Sequence, residues 1–561
     1  MKHLLQVLAV VALFLTGYTA KAQMSYGGEP YSFKNTLSQV VPTIEIEALD
    51  AEALLAEDAA NPGKDHALRI GVTKDVNYSI LNSGRVDMLP DGGRVWRLAF
   101  HMEDATFTSM NFSTFNIPEG AELYFYTPDR EYVIGKFIHK NKMDDGTFYP
   151  QELPGEDIVV EYYEPAGVAF EGELVINQIS QGYYDFFHIN RDIEGGVGTA
   201  EGTCHPNAIC YDNTWHKQIN SVACYTMTTG QWVSMCSGSM INNTARDKKQ
   251  YFLSANHCYT ANATYKFYFQ YQATTCTGNN GSIFKTTTGA EVVARAETND
   301  YNATSSSDFM LLKITGTINP AYDVYLAGWD ISATLPSEPT KCAAIHHPGG
   351  DIKKFSTPQT LRNGALVYSN MKNFWITTWD YSYGTTEQGS SGSALFNKDG
   401  LIVGQLYAGT SSCVAISGDQ THAGPGGEDF YGKLNYSWEN NNASSNSKKL
   451  KPWLNPNNSN VTSLQGEWMT GAPSGIAESN ATSSLNVHPN PTTGLVNISG
   501  NFNAGSGVCN VYDMMGTLVL SKNINLNDET TLNLSNLPQG AYLLEISDNS
   551  NVYRSKIILS K

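Results

Sequence analysis

The stretch Gly389-Ser390-Ser391-Gly392-Ser393 lies just before the apolar run Ala394-Leu395-Phe396. A serine in a tight turn of small residues exposes its hydroxyl, and the backbone N–H groups of Gly389 and Ser391 can converge on a developing oxyanion. Glycine and serine also crowd together in ordinary loops. The turn is therefore a candidate nucleophile whose meaning depends on partners elsewhere in the chain.

Two upstream segments supply such partners. His257 follows the strand-like run Phe252-Leu253-Ser254-Ala255, and Asp308 precedes the apolar run Phe309-Met310-Leu311-Leu312. The order His, Asp, Ser is that of the chymotrypsin-type double β-barrel and differs from the orders in subtilisins and α/β-hydrolases. We therefore expect Ser391 as nucleophile, His257 as general base and Asp308 as the group that orients the imidazole.

Length and composition limit the fold and the partners. A chain of 561 residues is expected to hold about three or four domains. Its 49 glycines and 31 tyrosines, with few long helical periodicities, favour an all-β protein. The net charge of −18 argues against nucleic acid and anionic membrane as partners.

The first 23 residues have the pattern of a secretory signal peptide. A basic start precedes an apolar core at residues 4–15, and Ala20-Lys21-Ala22 provides a small-x-small cleavage site. No later stretch reaches about 18 apolar residues, so the sequence predicts no transmembrane segment. Export permits disulfides, and eight of the nine cysteines lie between Cys204 and Cys413.

Residues 24–200, the N-terminal region, lack cysteine and alternate in the manner of strands. Val95-Trp96-Arg97-Leu98 and Ile158-Val159-Val160-Glu161 are examples, separated by Gly, Pro and Asp turns. The pattern predicts a β-sandwich. Its position favours a pro-region, and the alternative is a retained accessory or carbohydrate-binding module. The glycine-rich stretch at residues 195–199 marks the predicted boundary.

Residues 201–468 resemble the bacterial lysyl endopeptidases, a trypsin-like family. The resemblance rests on ordered blocks: Cys236-Ser237-Gly238-Ser239, Phe252 to Cys258, Ser307-Asp308-Phe309, Ile345-His346-His347-Pro348-Gly349-Gly350-Asp351, Glu387 to Ser393, Val403-Gly404-Gln405-Leu406 and Tyr431-Gly432. It implies a chymotrypsin-like double β-barrel, a His257–Asp308–Ser391 triad, and an oxyanion hole formed by Gly389 and Ser391.

The same resemblance implies a disulfide pattern. Cys236–Cys258 would fix the histidine loop, while Cys204–Cys413 and Cys210–Cys276 would tie the N-terminal arm of the domain to its body. Cys224 and Cys342 remain, and we expect them to form a fourth bridge. Spacing alone does not choose among the 105 pairings that eight cysteines allow.

Residue 390 departs from the trypsin pattern. Trypsin-like zymogens carry an aspartate before the nucleophile, which pairs with a newly freed N-terminus, whereas this chain has Ser390. Without that ion pair, activation is expected to depend on removal of a blocking or chaperoning pro-region.

Specificity is expected to come from Asp429. The position six residues before the nucleophile, which carries trypsin's selectivity acid, is the uncharged Thr385. Lysyl endopeptidases take the acid from after the nucleophile, and the Tyr431-Gly432 register favours Asp429 over the adjacent Glu428. A carboxylate in a desolvated slot stabilises a bound ammonium. We therefore expect cleavage after lysine.

The resemblance also assigns aromatic members of the substrate cleft. Tyr407 stands where the family has a histidine, and the cleft tryptophan is either Trp375 or Trp379. A tyrosine still provides an aromatic wall for a cation.

Lysines are missing from the predicted boundary. Between Lys142 and Lys217 there is no lysine, and the one arginine is Arg191. A strictly lysine-specific enzyme cannot release itself there. Either another protease cuts at this junction, or the specificity is broader than lysine.

No metal or other cofactor is expected. His346-His347 lies within a block shared with the protease family, without a neighbouring carboxylate or cysteine cluster, and adjacent strand residues point oppositely. We interpret this pair as structural.

The C-terminal part begins with a polar linker at residues 469–484. Residues 485–561 contain Pro489-Asn490-Pro491-Thr492-Thr493-Gly494, Leu537 to Tyr542 and a terminal lysine. These features resemble the C-terminal sorting domain of type IX secretion, a small β-sandwich recognised by outer-membrane machinery of Gram-negative bacteria. The alternative is an immunoglobulin-like adhesive module.

The leading hypothesis is a secreted serine endopeptidase, at the surface of or outside a Gram-negative cell, acting on protein and peptide substrates after lysine. One alternative is a catalytically inactive protease-like adhesion or binding protein. The other is a serine protease with arginine or broader specificity.

Overall fold

The computed structural model describes most of the chain. The described residues are 27–37, 40–187, 204–279, 281–296, 306–367, 371–380, 384–413, 423–424, 426–439, 443–470, 485–490, 492–500, 506–513, 518–526, 530–547 and 552–560. The predicted signal peptide, the predicted boundary at residues 195–199 and nearly all of the predicted linker lie outside them. The chain forms two compact units, Met1–Gly471 and Ala472–Lys561. Within the described ranges, no helix combines the length and the apolar character needed to cross a bilayer.

The N-terminal region is the β-sandwich that its sequence predicts. One sheet has the order β1-β4-β9-β6-β7 with β3 on β4, and β2, β10, β5 and β8 form a second layer. Aromatic side chains such as Trp96, Phe112 and Phe125 fill the space between them. The elements are α1 (Tyr31–Lys34), β1 (Thr43–Ile46), α2 (Ala51–Ala59), β2 (Leu68–Ser79), β3 (Arg85–Met88), β4 (Arg94–Met102), β5 (Phe107–Asn116), β6 (Glu122–Tyr126), β7 (Val133–Phe137), β8 (Leu153–Pro154), β9 (Asp157–Glu164) and β10 (Glu173–Gly182).

The first barrel-like sheet of the protease-like region runs in the order β15-β14-β11-β12-β13-β17-β16. Its strands β13 and β17 are mostly apolar because side chains on both of their faces are buried. Phe252 and Leu312 enter the core of this sheet, whereas Leu253 and Leu311 enter a second core shared with the next sheet. The elements are α3 (Asp212–Ile219), β11 (Val222–Thr228), β12 (Trp232–Met240), β13 (Tyr251–Ala255), β14 (Thr264–Phe269), β15 (Thr286–Thr288), β16 (Ala290–Arg295) and β17 (Phe309–Ile314).

The second barrel-like sheet has the order β21-β20-β24-β25-β26-β23-β22, with β19 on β25 and β27 on β19. Trp375, Trp379, Leu406 and Tyr431 pack in its interior. The elements are β18 (Tyr325–Leu326), β19 (Trp329–Asp330), β20 (Ala343–His346), β21 (Lys354–Ser356), β22 (Pro358–Asn363), α4 (Gly364–Val367), β23 (Phe374–Trp379), β24 (Ala394–Phe396), β25 (Ile402–Gly409), β26 (Asp429–Lys433), α5 (Leu434–Glu439), α6 (Lys451–Leu454), β27 (Ser463–Leu464) and β28 (Glu467–Trp468), which pairs with β18.

The N-terminal region and the first barrel-like sheet share one continuous sheet, which the sequence did not predict. Strand β2 pairs with β12 in antiparallel register, Leu68 opposite Met235 and Val72 opposite Trp232. A buried ion pair crosses the same contact: Lys266 Nζ donates to Glu152 Oε1 at 2.8 Å, and both side chains are 0% exposed. Lys266 also donates to Ser109 Oγ at 2.9 Å. Removing either partner would leave the other charge buried and unpaired, at a cost of about 3–5 kcal/mol.

The second unit is a small β-sandwich, as predicted for the C-terminal part. Its sheets have the orders β29-β30-β33 and β32-β31-β34-β35, and apolar residues including Val511, Leu544 and Ile557 lie between them. Cys509 is buried in this core. The elements are β29 (Leu485–His488), β30 (Leu495–Gly500), β31 (Ser506–Asp513), β32 (Leu518–Asn525), β33 (Thr530–Asn533), β34 (Gly540–Ser547) and β35 (Val552–Leu559).

Candidate active site

Strand pairing brings His257 and Asp308 together. Strands β13 and β17 are antiparallel with Ala255 opposite Phe309, so the end of one lies beside the start of the other. His257 occupies a short helical turn directly after β13, and Asp308 immediately precedes β17. The imidazole Nδ1 lies 2.7 Å from Asp308 Oδ2, and both side chains are buried. The two apolar runs therefore place the histidine and the aspartate in contact.

Asp308 holds this geometry with both carboxylate oxygens. Its Oδ1 accepts a hydrogen bond from the backbone N–H of His257 at 3.0 Å. Its backbone has a φ of +58°, a conformation that few residues other than glycine adopt, and its N–H donates to Ser306 Oγ at 3.2 Å. Burial raises the pKa of the Asp308 carboxyl, while the charge and hydrogen bonds of His257 oppose the rise. The charge and hydrogen bonds of His257 therefore offset part of the cost of burying the Asp308 carboxylate.

The serine loop is fixed against the first barrel-like sheet. The backbone N–H of Ser237, on β12, donates to Ser391 O at 2.9 Å, and Ser237 Oγ donates to Gly389 O at 2.9 Å. Gly392 has a φ of +83°, and a Cβ there would lie 2.1 Å from Ser254 Oγ and 2.8 Å from the backbone nitrogen of Ala255. Only glycine permits this approach. It brings the chain beside Ser391 to within two residues of His257.

Ser390 is buried and has partners of its own. Its Oγ accepts from the backbone N–H of Glu387 at 3.2 Å and lies 2.7 Å from His346 Nδ1. The other ring nitrogen of His346 lies 2.9 Å from Ser356 Oγ. The position that carries an aspartate in trypsin-like zymogens is therefore occupied by a serine bound to a buried histidine.

The second ring nitrogen of His257, Nε2, faces away from Asp308. Among the described residues, no protein group hydrogen-bonds to His257 Nε2, which is buried. The Tyr407 ring packs edge-on against the imidazole, with centroids 5.9 Å apart. Phe374 lies behind Tyr407 at 5.4 Å. The imidazole is therefore held by Asp308 and an aromatic wall. Ser391 Oγ donates its hydrogen bond to Lys64 O at 2.9 Å and not to His257 Nε2.

Asp429 forms the base of a buried pocket, which we call the specificity pocket and define by Asp429, Trp379, Thr386 and Ser411. Asp429 Oδ2 accepts from Trp379 Nε1 at 2.6 Å, from Thr386 Oγ1 at 2.6 Å and from Ser411 Oγ at 2.5 Å. A Cβ on the facing Gly409 would lie 1.9 Å from Asp429 Oδ1, so glycine leaves the carboxylate its space. The pocket therefore has a buried carboxylate at its base, surrounded by polar groups.

A lysine from the N-terminal region occupies the specificity pocket. Lys64 Nζ lies 3.2 Å from Asp429 Oδ1 and donates to Thr386 Oγ1 at 2.9 Å, to Ser411 Oγ at 3.0 Å and to Ser411 O. Its side chain is 4% exposed and that of Asp429 0%. Ser391 Oγ donates to Lys64 O at 2.9 Å. The candidate nucleophile therefore touches the carbonyl of the residue whose ammonium fills the pocket.

Sequence reasoning missed Lys64, Thr386, Ser411 and Phe374. Lys64 carries the one signal that was available: it stands in Pro62-Gly63-Lys64-Asp65-His66, a turn directly before a strand. Thr386 and Ser411 lie in no distinguishing sequence pattern. They are recognisable only through their contacts with Asp429.

The structure distinguishes the residues in two pairs of candidates for the pocket, one pair of tryptophans and one pair of acids. Trp379 contacts Asp429, whereas Trp375 Nε1 donates to Val403 O at 3.1 Å. Glu428 forms a half-exposed ion pair with Arg362, whereas Asp429 is buried beneath Lys64. These contacts favour Trp379 and Asp429 as the members of the pocket.

The cysteines agree with the predicted pattern in part. Disulfides join Cys204 to Cys413 and Cys236 to Cys258, as predicted. The predicted Cys210–Cys276 bridge is not formed: both are free thiols, and the pKa of Cys210 is raised to about 11 by burial and by the adjacent Cys276 thiol.

The predicted Cys224–Cys342 bridge is wrong. Both residues are free and buried, but in different surroundings. Cys224 packs in an apolar cluster with Val233 and Tyr268, whereas Cys342 Sγ lies 3.7 Å from Glu338 O.

His347, beside His346, is buried and stacked on the ring of Tyr271, with centroids 5.9 Å apart. Burial lowers its pKa from 6.5 to about 3. Its folded pKa lies below its unfolded value, so it stabilises the fold above pH 6.5 relative to lower pH, and that contribution is lost as the pH falls toward 3.

We therefore expect His347→Gln to flatten the acid dependence of stability. Between pH 7.5 and 4, the wild-type chain should lose up to about 3 kcal/mol more than the variant, measured by denaturant unfolding at each pH. The exposed His101, whose pKa is raised by its hydrogen bond with Asp157, provides the control. His101→Gln should leave the extra loss in place, and an equal slope for His347→Gln and wild type would contradict the prediction.

Two parts of the chain are similar to known protein families. Residues 198–432 match the model of the lysyl endopeptidase C-terminal domain, and residues 486–560 match that of the secretion system C-terminal sorting domain. A lysyl endopeptidase of Pseudomonas aeruginosa is 27% identical over 317 residues, which are 54% of this chain and 64% of that protein. The chain thus spans slightly less than two thirds of that relative.

Two solved structures show weaker likeness. The thermostable serine protease AL20 from an extremophilic microorganism is 13% identical, with a TM-score of 0.27 over 39% of this chain and 92% of that one. A Glu endopeptidase is 19% identical, with a TM-score of 0.21 over 38% of this chain and 85% of that one.

The sorting domain indicates a protein that is secreted or held at the cell surface. Its match begins one residue after Leu485, the predicted start of the sorting domain, and the match to the lysyl endopeptidase domain begins three residues before the predicted start at residue 201. The predicted resemblances are thus confirmed: residues 198–432 match the lysyl endopeptidase C-terminal domain and residues 486–560 the secretion system C-terminal sorting domain.

Proposed function

We propose that this chain is a secreted serine endopeptidase that cleaves on the carboxyl side of lysine. One observation carries the proposal. The ammonium of Lys64 occupies the specificity pocket beside Asp429, and the carbonyl oxygen of Lys64 accepts a hydrogen bond from Ser391 Oγ. Acyl transfer requires a nucleophile beside the carbonyl group of a pocket-bound residue, and the contact between Ser391 and Lys64 supports that requirement.

The proposed chemistry uses the three predicted side chains. Ser391 Oγ attacks the carbonyl carbon while its proton passes to His257, and Asp308 stabilises the imidazolium. The C–N bond breaks as His257 returns the proton to the leaving amine. Water then cleaves the ester by the same route. The N–H groups of Gly389 and Ser391 are proposed to bind the oxyanion.

The pocket chemistry favours lysine over arginine. The ammonium of Lys64 meets acceptors from Asp429, Thr386 and Ser411, arranged around a compact point charge. A guanidinium is planar and needs acceptors in one plane. The buried carboxylate would be left unpaired by an uncharged side chain. Tyr407 and Trp379 are proposed to complete the wall of the cleft.

The sorting domain gives the proposed cellular context. We propose that residues 485–561 address the chain to the type IX secretion machinery at the outer membrane of a Gram-negative bacterium. Residues 24–200 are proposed to act as a pro-region.

Processed protein tests the proposed activity. A fluorophosphonate should label it stoichiometrically, and Ser391→Ala should abolish the label while the exposed Ser447→Ala should not. Matched peptides that differ only in the residue before the bond should be cleaved at least about tenfold faster with lysine than with arginine. Absence of label would favour the inactive binding protein, and equal rates would favour the broader protease.

A further inference from the structure

We propose that the Lys64–Asp65 bond is a built-in substrate, and that the enzyme cuts it within its own chain as the first step of activation. This inference rests on the proposed function and adds a cleavage site, a sequence of events and a reason for latency. The carrying observation is that Lys64 fills the specificity pocket while its carbonyl oxygen accepts a hydrogen bond from Ser391 Oγ.

The loop that presents Lys64 is braced at its base. It connects α2 to β2, and Arg69 Nε donates to Asp58 Oδ1 at 2.6 Å across the two ends. Tyr183 OH donates to Asp58 Oδ2 at 2.6 Å. The Arg69 guanidinium also lies 4.3 Å from the centroid of the Trp232 ring on β12. The loop is therefore held in a fixed position on the protease-like region, which lowers the entropic cost of binding.

The residues that follow Lys64 lie at the serine loop. The pKa of Asp65 is lowered, first by its hydrogen bond from His66 and further by the charge of His257. His66 Nε2 lies 2.9 Å from Gln388 Nε2, in the serine loop. The chain that carries the leaving amine of the Lys64–Asp65 bond is therefore held against the serine loop.

The proposed reaction is a balanced hydrolysis. Ser391 Oγ forms an ester with the carbonyl carbon of Lys64, and the bond from that carbon to the nitrogen of Asp65 breaks. The serine proton passes through His257 to the new α-amine of Asp65. One water then hydrolyses the ester, which restores Ser391 and leaves Lys64 with a free carboxylate.

The cut does not by itself free the site. Residues Leu68 to Val72 remain paired with β12, and the buried Lys266–Glu152 ion pair lies beyond the cut. The fragment that starts at Asp65 therefore stays attached. Because residues 143–216 contain no lysine, separation of the N-terminal region requires a second cut of another kind. The Lys64 cut is expected to loosen the plug and expose the pocket.

N-terminal sequencing and intact mass of the purified full chain test the proposal. Wild type should yield a fragment that begins at Asp65, at a rate independent of protein concentration. Ser391→Ala should stay intact at this bond. Lys64→Met should slow the cut by at least about a hundredfold because it leaves Asp429 unpaired, and Lys64→Arg should slow it by a smaller factor. Lys140→Gln, at an exposed lysine of the same region, should be cut like wild type.

Separate outcomes overturn the two proposals. A wild-type chain that labels with fluorophosphonate and cleaves lysyl peptides while its Lys64–Asp65 bond stays intact would refute self-cleavage and leave the proposed function standing. Equal cutting of wild type and Lys64→Met at residue 64 would also refute it. A processed protein without label or peptidase activity would refute the proposed function. Thermal unfolding of each variant in the Ser391→Ala background verifies that the Lys64 substitutions fold.

Discussion

Asp308→Asn is expected to lower kcat on a lysyl peptide by about ten-thousandfold at neutral pH, with little change in KM. Asp308 accepts two hydrogen bonds from His257, one from the backbone N–H at 3.0 Å and one at the ring Nδ1 at 2.7 Å. An asparagine has only one acceptor oxygen. Its NH₂ group must face one of these positions, so the imidazole either turns or takes the tautomer with its proton on the wrong nitrogen.

The measurement is steady-state kinetics on processed protein, with thermal unfolding as a test of folding. Asp399→Asn is the matched control, because Asp399 is an exposed aspartate of the same region. It should keep wild-type kcat. A fall of less than about tenfold in Asp308→Asn would show that His257 is oriented without this carboxylate, and the proposed roles of both residues would then fail.

The sequence predicted this part of the site because the relevant information is local. His257 and Asp308 each flank an apolar run, and the two runs become β13 and β17 with Ala255 opposite Phe309. Runs of that kind are central strands, and neighbouring central strands bring their ends together. The serine turn was predictable for a similar reason, since Gly392 is required where the chain approaches Ser254.

The contacts that the sequence did not predict join distant segments. Lys64 and Asp429 meet only because β2 takes one particular register on β12, and no local pattern states which strand of the N-terminal region will pair there. The cysteines show the same limit. Cys224 and Cys342 remained as a pair by elimination, yet their sulfurs lie in different surroundings.

The second large effect is expected for Asp429→Asn. The carboxylate is buried and accepts from Trp379, Thr386 and Ser411 as well as facing the Lys64 ammonium. Loss of its charge leaves a lysine ammonium buried without a counter-ion, which costs about 3–5 kcal/mol. This cost corresponds to a fall of about 10²–10⁴-fold in kcat/KM for lysyl peptides. Peptides with an uncharged residue in the pocket should lose far less.

Glu428→Gln is the matched control for this prediction, because the adjacent acid is half-exposed and pairs with Arg362 outside the specificity pocket. It should keep kcat/KM for lysyl peptides within about threefold, since exposed ion pairs contribute less than about 1 kcal/mol. The pair of variants decides which acid selects the substrate. If Glu428→Gln lost the lysine preference and Asp429→Asn kept it, a lysine in solution would be bound elsewhere than Lys64 is bound here. Lys64 would then only block the pocket, and the interpretation of its binding as substrate-like would be wrong.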